Sequence, residues 1–313
     1  MANSEKNPGL HQPVLLKETL EALRIKPGGV YLDGTFGRGG HSCALLAQLR
    51  KQGRLFALDK DPEAFAKGKE LISRDKRFTM VQGSFAELDR FCSLWDVQAF
   101  DGILLDVGVS SPQLDDARRG FSFRLDGPLD MRMDPARGVS ASEWLADATE
   151  TEIASVLREF GEERQARRIA RKIVESRREQ PIETTRQLAG LIKSVIGSGK
   201  DKKHPATKSF QAIRIFINNE LAELATGLNS AIRHLRPNGR LVLISFHSLE
   251  DRLVKRTLRE AARPGPVPRK MPMAQGRPAV LRLIGKAQKP SNSEILSNPR
   301  SRSAVLRVAE YLG

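Results

Sequence analysis

Short apolar runs alternate with helical patterns over roughly the first hundred residues. Four runs rich in Leu, Val, Ile and Phe predict buried strands: "GGVYLDGTF", "GRLFALDKD", "RFTMVQGSF" and "FDGILLDVGVS". The segments between them, such as "GGHSCALLAQL" and "EAFAKGKELI", repeat apolar residues at helical spacing. This alternation predicts an α/β fold with a parallel, doubly wound sheet, and such sheets bind ligands beyond the carboxyl ends of their strands.

The pattern changes after "SSPQLDD", because residues 115–207 contain a loop and four helical patterns but no buried strand. We therefore expect an inserted helical domain over 115–207, with 1–114 and 208–313 forming the α/β core. The core pattern resumes with one long helix, "SFQAIRIFINNELAELATGLNSAIRHL", and a strand, "RLVLISF". Two further runs, "AVLRLIGK" and "SAVLRVAEYL", predict an edge hairpin, and "ARPGPVPRKMPMAQGRP" between helix and hairpin predicts a mobile loop.

The chain of 313 residues carries 52 Lys+Arg against 37 Asp+Glu, a formal net charge of +15. Such an excess favours a polyanionic partner, and the absence of a basic amphipathic anchor favours nucleic acid over a membrane surface. The cations cluster: "ERQARRIARKIVESRR" holds seven, and Lys255 to Lys289 holds ten with one acid, Glu260. A merely basic enzyme without such a partner is the alternative. No apolar run is long enough for a membrane span or signal peptide, so we expect a cytoplasmic protein.

A glycine-rich turn follows the first predicted strand, with Gly34, Gly37, Gly39 and Gly40 in "DGTFGRGG". Such a turn lets a ligand approach the backbone, although a purely structural turn uses the same residues. Asp59 ends the second strand, 19 residues after Gly40, where a carboxylate can accept both ribose hydroxyls of a nucleoside; a solvated aspartate is the alternative. NAD and S-adenosylmethionine both satisfy these features.

The fourth strand separates the two cofactors. In "LLDVGVSSPQLD", Asp106 is followed by a polar turn with Ser111 and Pro112, similar to the acidic or polar residue plus proline with which amino-methyltransferases hold an exocyclic amine. A dehydrogenase needs no such turn. Phe85, after the third strand, is placed to contact an adenine ring. The lone pair of a cytosine N4 amine is conjugated into the ring, so a group that accepts an N4 hydrogen makes the amine more nucleophilic.

The two cysteines argue against a disulfide, a metal site and cytosine C5 methylation. Cys43 and Cys92 lie far apart without C-x-x-C spacing, so we expect neither a disulfide nor a metal site. A cytosine C5-methyltransferase needs a cysteine nucleophile, usually directly after a proline, but Pro112 is followed by Gln113. The sequence therefore favours an exocyclic nitrogen as the methyl acceptor.

Three other segments carry candidate residues, each with an alternative role. In "SFHSLEDR", His247 and Asp251 are candidates to accept the N4 proton or bind the target nucleotide, whereas Ser248 and Asp251 equally suit a helix cap. In "KHPATKSF", Lys203, His204 and Lys208 suit phosphates or a solvated turn. In "GFSFRLDGPLDMRMD", the candidates for stacking on an extruded base and for phosphate contact are Phe121, Phe123, Arg124 and Arg132. Phe121 and Phe123 equally suit anchoring the insertion to the core.

The motifs "DGTFGRGGHS", "DGILLDVGVSSPQLDDARRGFSF", "GPLDMRMD", "GEER", "HPAT", "FQAIRIFIN" and "ISFHSLEDR" occur in this order over nearly the whole chain. With them the chain closely resembles the bacterial ribosomal RNA cytosine-N4 methyltransferases called RsmH, formerly MraW. The resemblance implies a Rossmann-like class I methyltransferase core with a helical insertion for the RNA substrate. It also implies S-adenosyl-L-methionine-dependent N4 methylation of one cytidine in the decoding centre of 16S rRNA, within the small (30S) ribosomal subunit. The family's cofactor contacts fall on Gly39, Gly40, His41, Asp59, Phe85, Asp106 and Gln113.

Some alternatives stay open at this stage. A nucleotide-dependent oxidoreductase is disfavoured by the Ser-Ser-Pro-Gln turn and the basic surfaces. A noncatalytic ribosome-assembly factor is disfavoured because every cofactor position of the family is matched. The turn alone also suits a DNA or protein-amide substrate, and the sequence leaves open whether two copies form a homodimer.

Overall fold

The structure, a computed structural model, describes residues 13–197, 204–264 and 278–313. The chain divides into two compact units. The first, which we call the core unit, contains the residues up to Gly108 together with Glu223–Gly313. The second, the helical unit, is Val109–Ala222. No helix among the described residues is long and apolar enough to cross a bilayer.

A seven-stranded sheet forms the centre of the core unit, in the order β3-β2-β1-β4-β5-β7-β6. The first five strands pair in parallel, and β7 pairs antiparallel with both β5 and β6. This confirms the predicted Rossmann-like core and its edge hairpin. The strands are β1 Val30–Asp33, β2 Arg54–Asp59, β3 Phe78–Gln82, β4 Phe100–Asp106, β5 Leu235–Ser245, β6 Leu281–Leu283 and β7 Val305–Tyr311.

Both faces of the sheet are covered, as the continuous apolar runs predict. Successive residues of β4 alternate between two hydrophobic clusters: Ile103 and Leu105 belong to one and Leu104 to the other, and all three are almost fully buried. The helices that contribute to the core unit are α1 Leu16–Leu23, α2 Gly40–Gln48, α3 Pro62–Arg74, α4 Leu88–Trp95, α11 Glu220–Arg233, α12 Ser248–Ala261 and α13 Asn292–Ser297.

The order of the strands reverses between β1 and β4, because the chain passes outward from β1 to β3 and then returns to pair β4 with the other side of β1. Ligands of doubly wound sheets bind at this switch point, beyond the carboxyl ends of the strands. Asp33, Asp59 and Asp106 each end one of the three strands nearest to it. The topology therefore brings three carboxylates together at the carboxyl ends of adjacent strands.

The helical unit has a hydrophobic core of its own, which includes Ile153, Ile169, Leu188 and Phe210. Four of its helices match the helical patterns predicted from the sequence. Its helices are α5 Ser111–Asp115, α6 Ala141–Asp147, α7 Glu150–Gly161, α8 Ala166–Glu179, α9 Thr185–Ile196 and α10 Thr207–Ile217.

The prediction of one long helix before β5 is wrong, because the chain breaks between α10 and α11. Asn219 has a left-handed backbone with φ of 51°. The side-chain amide of Asn218 accepts a hydrogen bond from the Met133 backbone N–H at 2.7 Å and donates to the Met131 carbonyl at 2.7 Å. These bonds to a distant segment end α10 inside the helical unit. The compact unit spans Val109–Ala222, while the sequence predicts an insertion over 115–207. The segment predicted as a mobile Pro- and Arg-rich loop lies mostly outside the described residues.

Candidate active site

The glycine turn between β1 and α2 holds a conformation that other residues would disrupt. Gly39 has φ of 76°, and a Cβ atom there would lie 2.6 Å from the Phe36 ring. A Cβ atom at Gly40 would lie 2.3 Å from the Pro13 side chain. The Gly39 N–H donates to the Phe36 carbonyl at 2.7 Å, which closes the turn. The predicted glycine loop is therefore a tight turn whose backbone leads directly into the first turn of α2.

Asp33 stabilises this turn through hydrogen bonds to residues on both sides of it, a role that the sequence analysis did not predict. Its buried carboxylate accepts hydrogen bonds from the Ser42 hydroxyl at 2.6 Å and from the Thr35 N–H at 3.1 Å. The Thr35 hydroxyl oxygen in turn accepts the N–H of Asp106 at 2.7 Å. Burial raises the pKa of the Asp33 carboxyl, although its hydrogen bond from Ser42 opposes the rise. The glycine turn and the end of β4 are thus held together by a short chain of polar contacts.

Asp59, the candidate ribose acceptor, is oriented by the backbone of two loops. One carboxylate oxygen accepts the Gly37 N–H at 2.7 Å, and the other accepts the Asp61 N–H at 2.9 Å. Burial raises the pKa of this carboxyl to about 6, against the lowering effect of those two hydrogen bonds. Each carboxylate oxygen keeps a further lone pair, so the group can still accept two ribose hydroxyls.

His41 and Asp106 face each other at the ends of α2 and β4. His41 Nε2 lies 3.6 Å from Asp106 Oδ2, and the two side chains are 7% and 23% exposed. Burial lowers the pKa of the His41 imidazole, but the Asp106 and Asp33 carboxylates outweigh burial and leave that pKa above its usual value. Within the described part of the chain, both ring nitrogens of His41 and Asp106 Oδ1 are buried without a hydrogen-bond partner. Buried polar atoms of this kind are normally satisfied, so we expect a polar ligand to meet them here.

Phe85 lies in a short 3-10 helix after β3 and is half-buried. Gly227 of α11 makes room for its ring, since a Cβ atom at Gly227 would lie 2.2 Å from Phe85 Cδ2. Glu223, also on α11, accepts hydrogen bonds from Lys60 Nζ and from the Ser84 hydroxyl, each at 2.8 Å. Glu223 thereby ties the loops after β2 and β3 to one helix, and no local motif marks it in the sequence.

Ser111, Pro112 and Gln113 belong to the helical unit, where they form the start of α5. Gln113 is buried, and its side-chain oxygen accepts the Ser110 N–H at 2.8 Å. This contact makes Gln113 part of the cap of α5. Its predicted cofactor contact and the predicted roles of Ser111 and Pro112 remain predictions.

The two candidates after β5 are both engaged in contacts of the core unit. His247 is the N-cap of α12: its Nδ1 accepts the Glu250 N–H at 3.3 Å, and its Nε2 lies 3.0 Å from Glu250 Oε1. The cap is therefore His247 and not Ser248 or Asp251. The Asp251 carboxylate accepts two hydrogen bonds from Arg307, at 2.7 and 3.0 Å. Among the described residues His247 Nε2 is buried without a hydrogen bond, although it faces Glu250, whereas the Asp251 oxygens are held by Arg307. Of the two carboxylates, Asp106 is therefore the freer proton acceptor.

The aromatic candidates of the helical unit pack internally. Phe121 is buried, and Phe123 stacks on His204 with ring centroids 4.4 Å apart and meets Phe210 edge-on at 5.0 Å. Arg132 pairs with Asp130 at 2.7 Å. These contacts all lie within the helical unit, so the predicted RNA contacts and the predicted anchoring of the insertion to the core both remain predictions. Lys203 lies outside the described residues, while Arg124 and Lys208 are exposed.

Known proteins similar to this chain agree on one family. A sequence model of the MraW methylase family matches residues 9–312. A protein of Stenotrophomonas maltophilia (strain K279a) named ribosomal RNA small subunit methyltransferase H is 54% identical over 97% of this chain and 94% of its own length. A protein of the same name from Xanthomonas campestris pv. campestris (strain B100) is 56% identical over 98% of this chain and 89% of its own. Among solved structures, TrmN from Thermus thermophilus covers 95% of this chain and 48% of its own at 14% identity, with a TM-score of 0.44 that is too low to bear on function.

Proposed function

This chain belongs to the MraW methylase family, and we propose that it methylates the N4 atom of one cytidine in the decoding centre of 16S rRNA, within the small ribosomal subunit. The observation that carries the chemistry is the half-buried carboxylate of Asp106 beside His41 at the switch point of the sheet, whose Oδ1 is buried without a hydrogen-bond partner among the described residues. The rRNA substrate is supported by the names of relatives more than half identical to the chain. Such a substrate would also place the enzyme in the cytoplasm.

The methyl donor is S-adenosyl-L-methionine, and the residues at the switch point fit it. When bound, it supplies a sulfonium-activated methyl group. Asp59 offers a carboxylate oriented by two backbone N–H groups to the ribose. The buried polar atoms of His41 and Asp106 offer donors and acceptors to the polar end of the cofactor. The residues proposed to hold it are Gly39, Gly40, His41, Asp59, Phe85, Asp106 and Gln113.

The chain itself has two tasks in this reaction. It must align the acceptor nitrogen with the methyl group and exclude water, which accounts for much of the rate in a transfer from an already activated donor. It must also make the conjugated N4 amine more nucleophilic. Asp106 does so by accepting an N4 hydrogen while the nitrogen–methyl bond forms and the sulfur–methyl bond breaks; the N4 proton leaves to the carboxylate or to water.

Cofactor binding should weaken as the pH falls through about 6. The pKa of Asp59 is raised by burial to about 6, so the carboxylate is ionised above that pH and becomes protonated below it, losing acceptor capacity for the ribose. Affinity should then fall by up to about tenfold per pH unit. Calorimetry from pH 8 to 5 measures this, and Asp59→Asn is the control because it keeps His41 and removes the Asp59 titration, at the cost of one of the two backbone hydrogen bonds that the carboxylate accepts. The interpretation fails if the two proteins show the same pH profile.

Assembled small subunits should be methylated far better than a short single-stranded RNA of the same sequence. A base in a folded ribosomal helix must be extruded, and the protein surface around it must hold the surrounding RNA, which a short strand does not offer. Methyl transfer from labelled cofactor to the two substrates at equal concentration measures the difference. Equal turnover would mean that only the local sequence is recognised and would remove the subunit from the proposal.

The basic face of α8 should contribute to RNA affinity. Arg167, Arg168, Arg171 and Lys172 are all exposed, and the ion pair of Arg171 with Glu150 is long, at 3.8 Å. Changing all four to Gln should flatten the log–log salt dependence of subunit binding by up to about 3 units, since each neutralised phosphate contributes somewhat under one unit.

A charge-matched control distinguishes this footprint from net charge. The control changes four exposed cations of the core unit to Gln: Lys51, Lys69, Arg74 and Lys76. Filter binding across a salt series measures the slope of subunit binding for both variants, and calorimetry checks that each still binds the cofactor. If the α8 variant and the control change the slope equally, the α8 face is solvated and has no RNA role.

A further inference from the structure

An open groove lies between α12 and the segment that follows β6, within the core unit and outside the candidate active site. We call it the α12 groove and define it by Lys255, Leu258, Arg259, Leu283, Ile284 and Lys286. The rim of the groove is cationic, and its floor and mouth are apolar.

The cations of the rim are not neutralised. Lys255, Arg259 and Lys286 have no carboxylate within 4.0 Å among the described residues, and Arg259 and Lys286 are exposed. Arg307, which also lines the groove, is different because Asp251 holds it with two hydrogen bonds. Three uncompensated positive charges around one concavity create a local positive potential that attracts an anion.

The apolar residues at the floor and mouth of the groove can contact a flat apolar group. Leu258 and Val308 are buried beneath it, while Leu283 is 42% exposed and Ile284 half-buried at its mouth. Leu283 ends β6, the last strand of the sheet, so its outer side has no strand beside it. An apolar platform bordered by cations matches the two parts of a nucleotide, a base with an apolar face and a phosphate.

We propose that the α12 groove binds an unpaired nucleotide of the RNA substrate, with the phosphate held by Lys255, Arg259 and Lys286 and the base placed on Leu283 and Ile284. This inference rests on the proposed function for the identity of the partner. An acidic protein segment is disfavoured because carboxylate side chains would satisfy the rim and leave the exposed Leu283 uncovered. The groove would extend the RNA contact of the enzyme to the far edge of the sheet.

The test compares two charge-matched variants of the full-length protein. The groove variant is Lys255→Gln/Arg259→Gln/Lys286→Gln. The control is Lys69→Gln/Arg74→Gln/Lys76→Gln, whose three exposed cations lie on and just after α3, at the opposite edge of the sheet. Binding to small subunits and to a single-stranded oligoribonucleotide is measured across a salt series. The groove variant should flatten the log–log slope by about 2 units, and the control by less than one.

A single substitution tests the apolar surface at the mouth of the groove. Leu283→Asp places a carboxylate at an exposed position of the groove, so it should lower affinity for both RNAs at least fivefold without lowering the melting temperature below that of the control. Equal slopes for the groove variant and the control, or unchanged RNA affinity in Leu283→Asp, would overturn the proposal. So would a groove variant that loses affinity for polyglutamate but keeps the wild-type slope for RNA.

Failure of this inference is distinguishable from failure of the proposed function. If the wild-type protein methylates subunits while the groove variant behaves like the control, the proposed role of the α12 groove is wrong and the proposed function stands. If the groove variant loses RNA affinity but the wild-type protein transfers no methyl group to subunits, the function is wrong and the groove stands as an RNA site.

Discussion

Replacing Asp106 by asparagine is expected to lower kcat for methyl transfer by roughly 10²- to 10⁴-fold, the usual size of a general-base contribution. The amide has nearly the same shape and keeps an oxygen toward His41, which lies 3.6 Å from the present carboxylate. It cannot take up the N4 proton and is a weaker acceptor than a carboxylate. Cofactor affinity should therefore fall much less than kcat. Single-turnover methyl transfer with saturating cofactor separates the two effects.

Asp96→Asn is the matched control for this substitution. Asp96 is exposed at the end of α4, with φ of 53°, a conformation that asparagine tolerates well. The control should retain wild-type kcat. A wild-type kcat in Asp106→Asn would mean that the proton acceptor is another group, either His247 Nε2, which has no hydrogen bond among the described residues, or Asp251, which would have to leave Arg307.

Replacing Asp59 by alanine is expected to weaken S-adenosyl-L-methionine binding by about 1.5 to 3 kcal/mol, roughly ten- to hundredfold, because hydrogen bonds to a charged group are lost. The carboxylate also accepts the N–H of Gly37, so part of the effect could come from a loosened glycine turn. Asp59→Asn separates the two contributions, since it keeps an oxygen for Gly37 but removes the charge toward the ribose.

Calorimetry on the two Asp59 variants measures this directly, with thermal melting to confirm that each is folded. The asparagine variant should fall between the wild type and the alanine variant. Unchanged affinity in a folded Asp59→Ala protein would remove Asp59 from the cofactor site.

The features that sequence alone predicted are local ones. The strands β1 to β4, the glycine turn and Asp59 at a strand end follow from short apolar runs and from residues close in the chain. The exposed cations of α8 also follow from helical spacing, because residues three or four positions apart share one face.

The features that it missed depend on contacts between distant segments. The break before α11 is made by Asn218 bonding to Met131 and Met133, which lie more than 80 residues earlier in the chain. Glu223 bonds to Lys60 and Ser84, more than 130 residues away. No window along the sequence contains both partners, so periodicity cannot reveal these contacts.

The cap of α12 was misassigned for a different reason. Serine and aspartate are preferred caps, so "SFHSLEDR" pointed to Ser248 or Asp251. The structure instead uses His247, whose Nδ1 accepts the Glu250 N–H at 3.3 Å, while the Glu250 carboxylate accepts the N–H groups of Phe246 and His247. The spacing of a capping box is present, but with an imidazole in the place of the hydroxyl.

The most direct test of the central claim is the identity of the product nucleoside. Small subunits that lack the modification are incubated with the protein and methyl-labelled S-adenosyl-L-methionine, the 16S rRNA is digested to nucleosides, and the labelled nucleoside is identified by mass and by comparison with standards. The account predicts N4-methylcytidine at a single position of the decoding centre, with Asp106→Asn giving little or none under the same conditions. Label in 5-methylcytidine or in another nucleoside, or no label in rRNA from a protein that binds the cofactor, would contradict it.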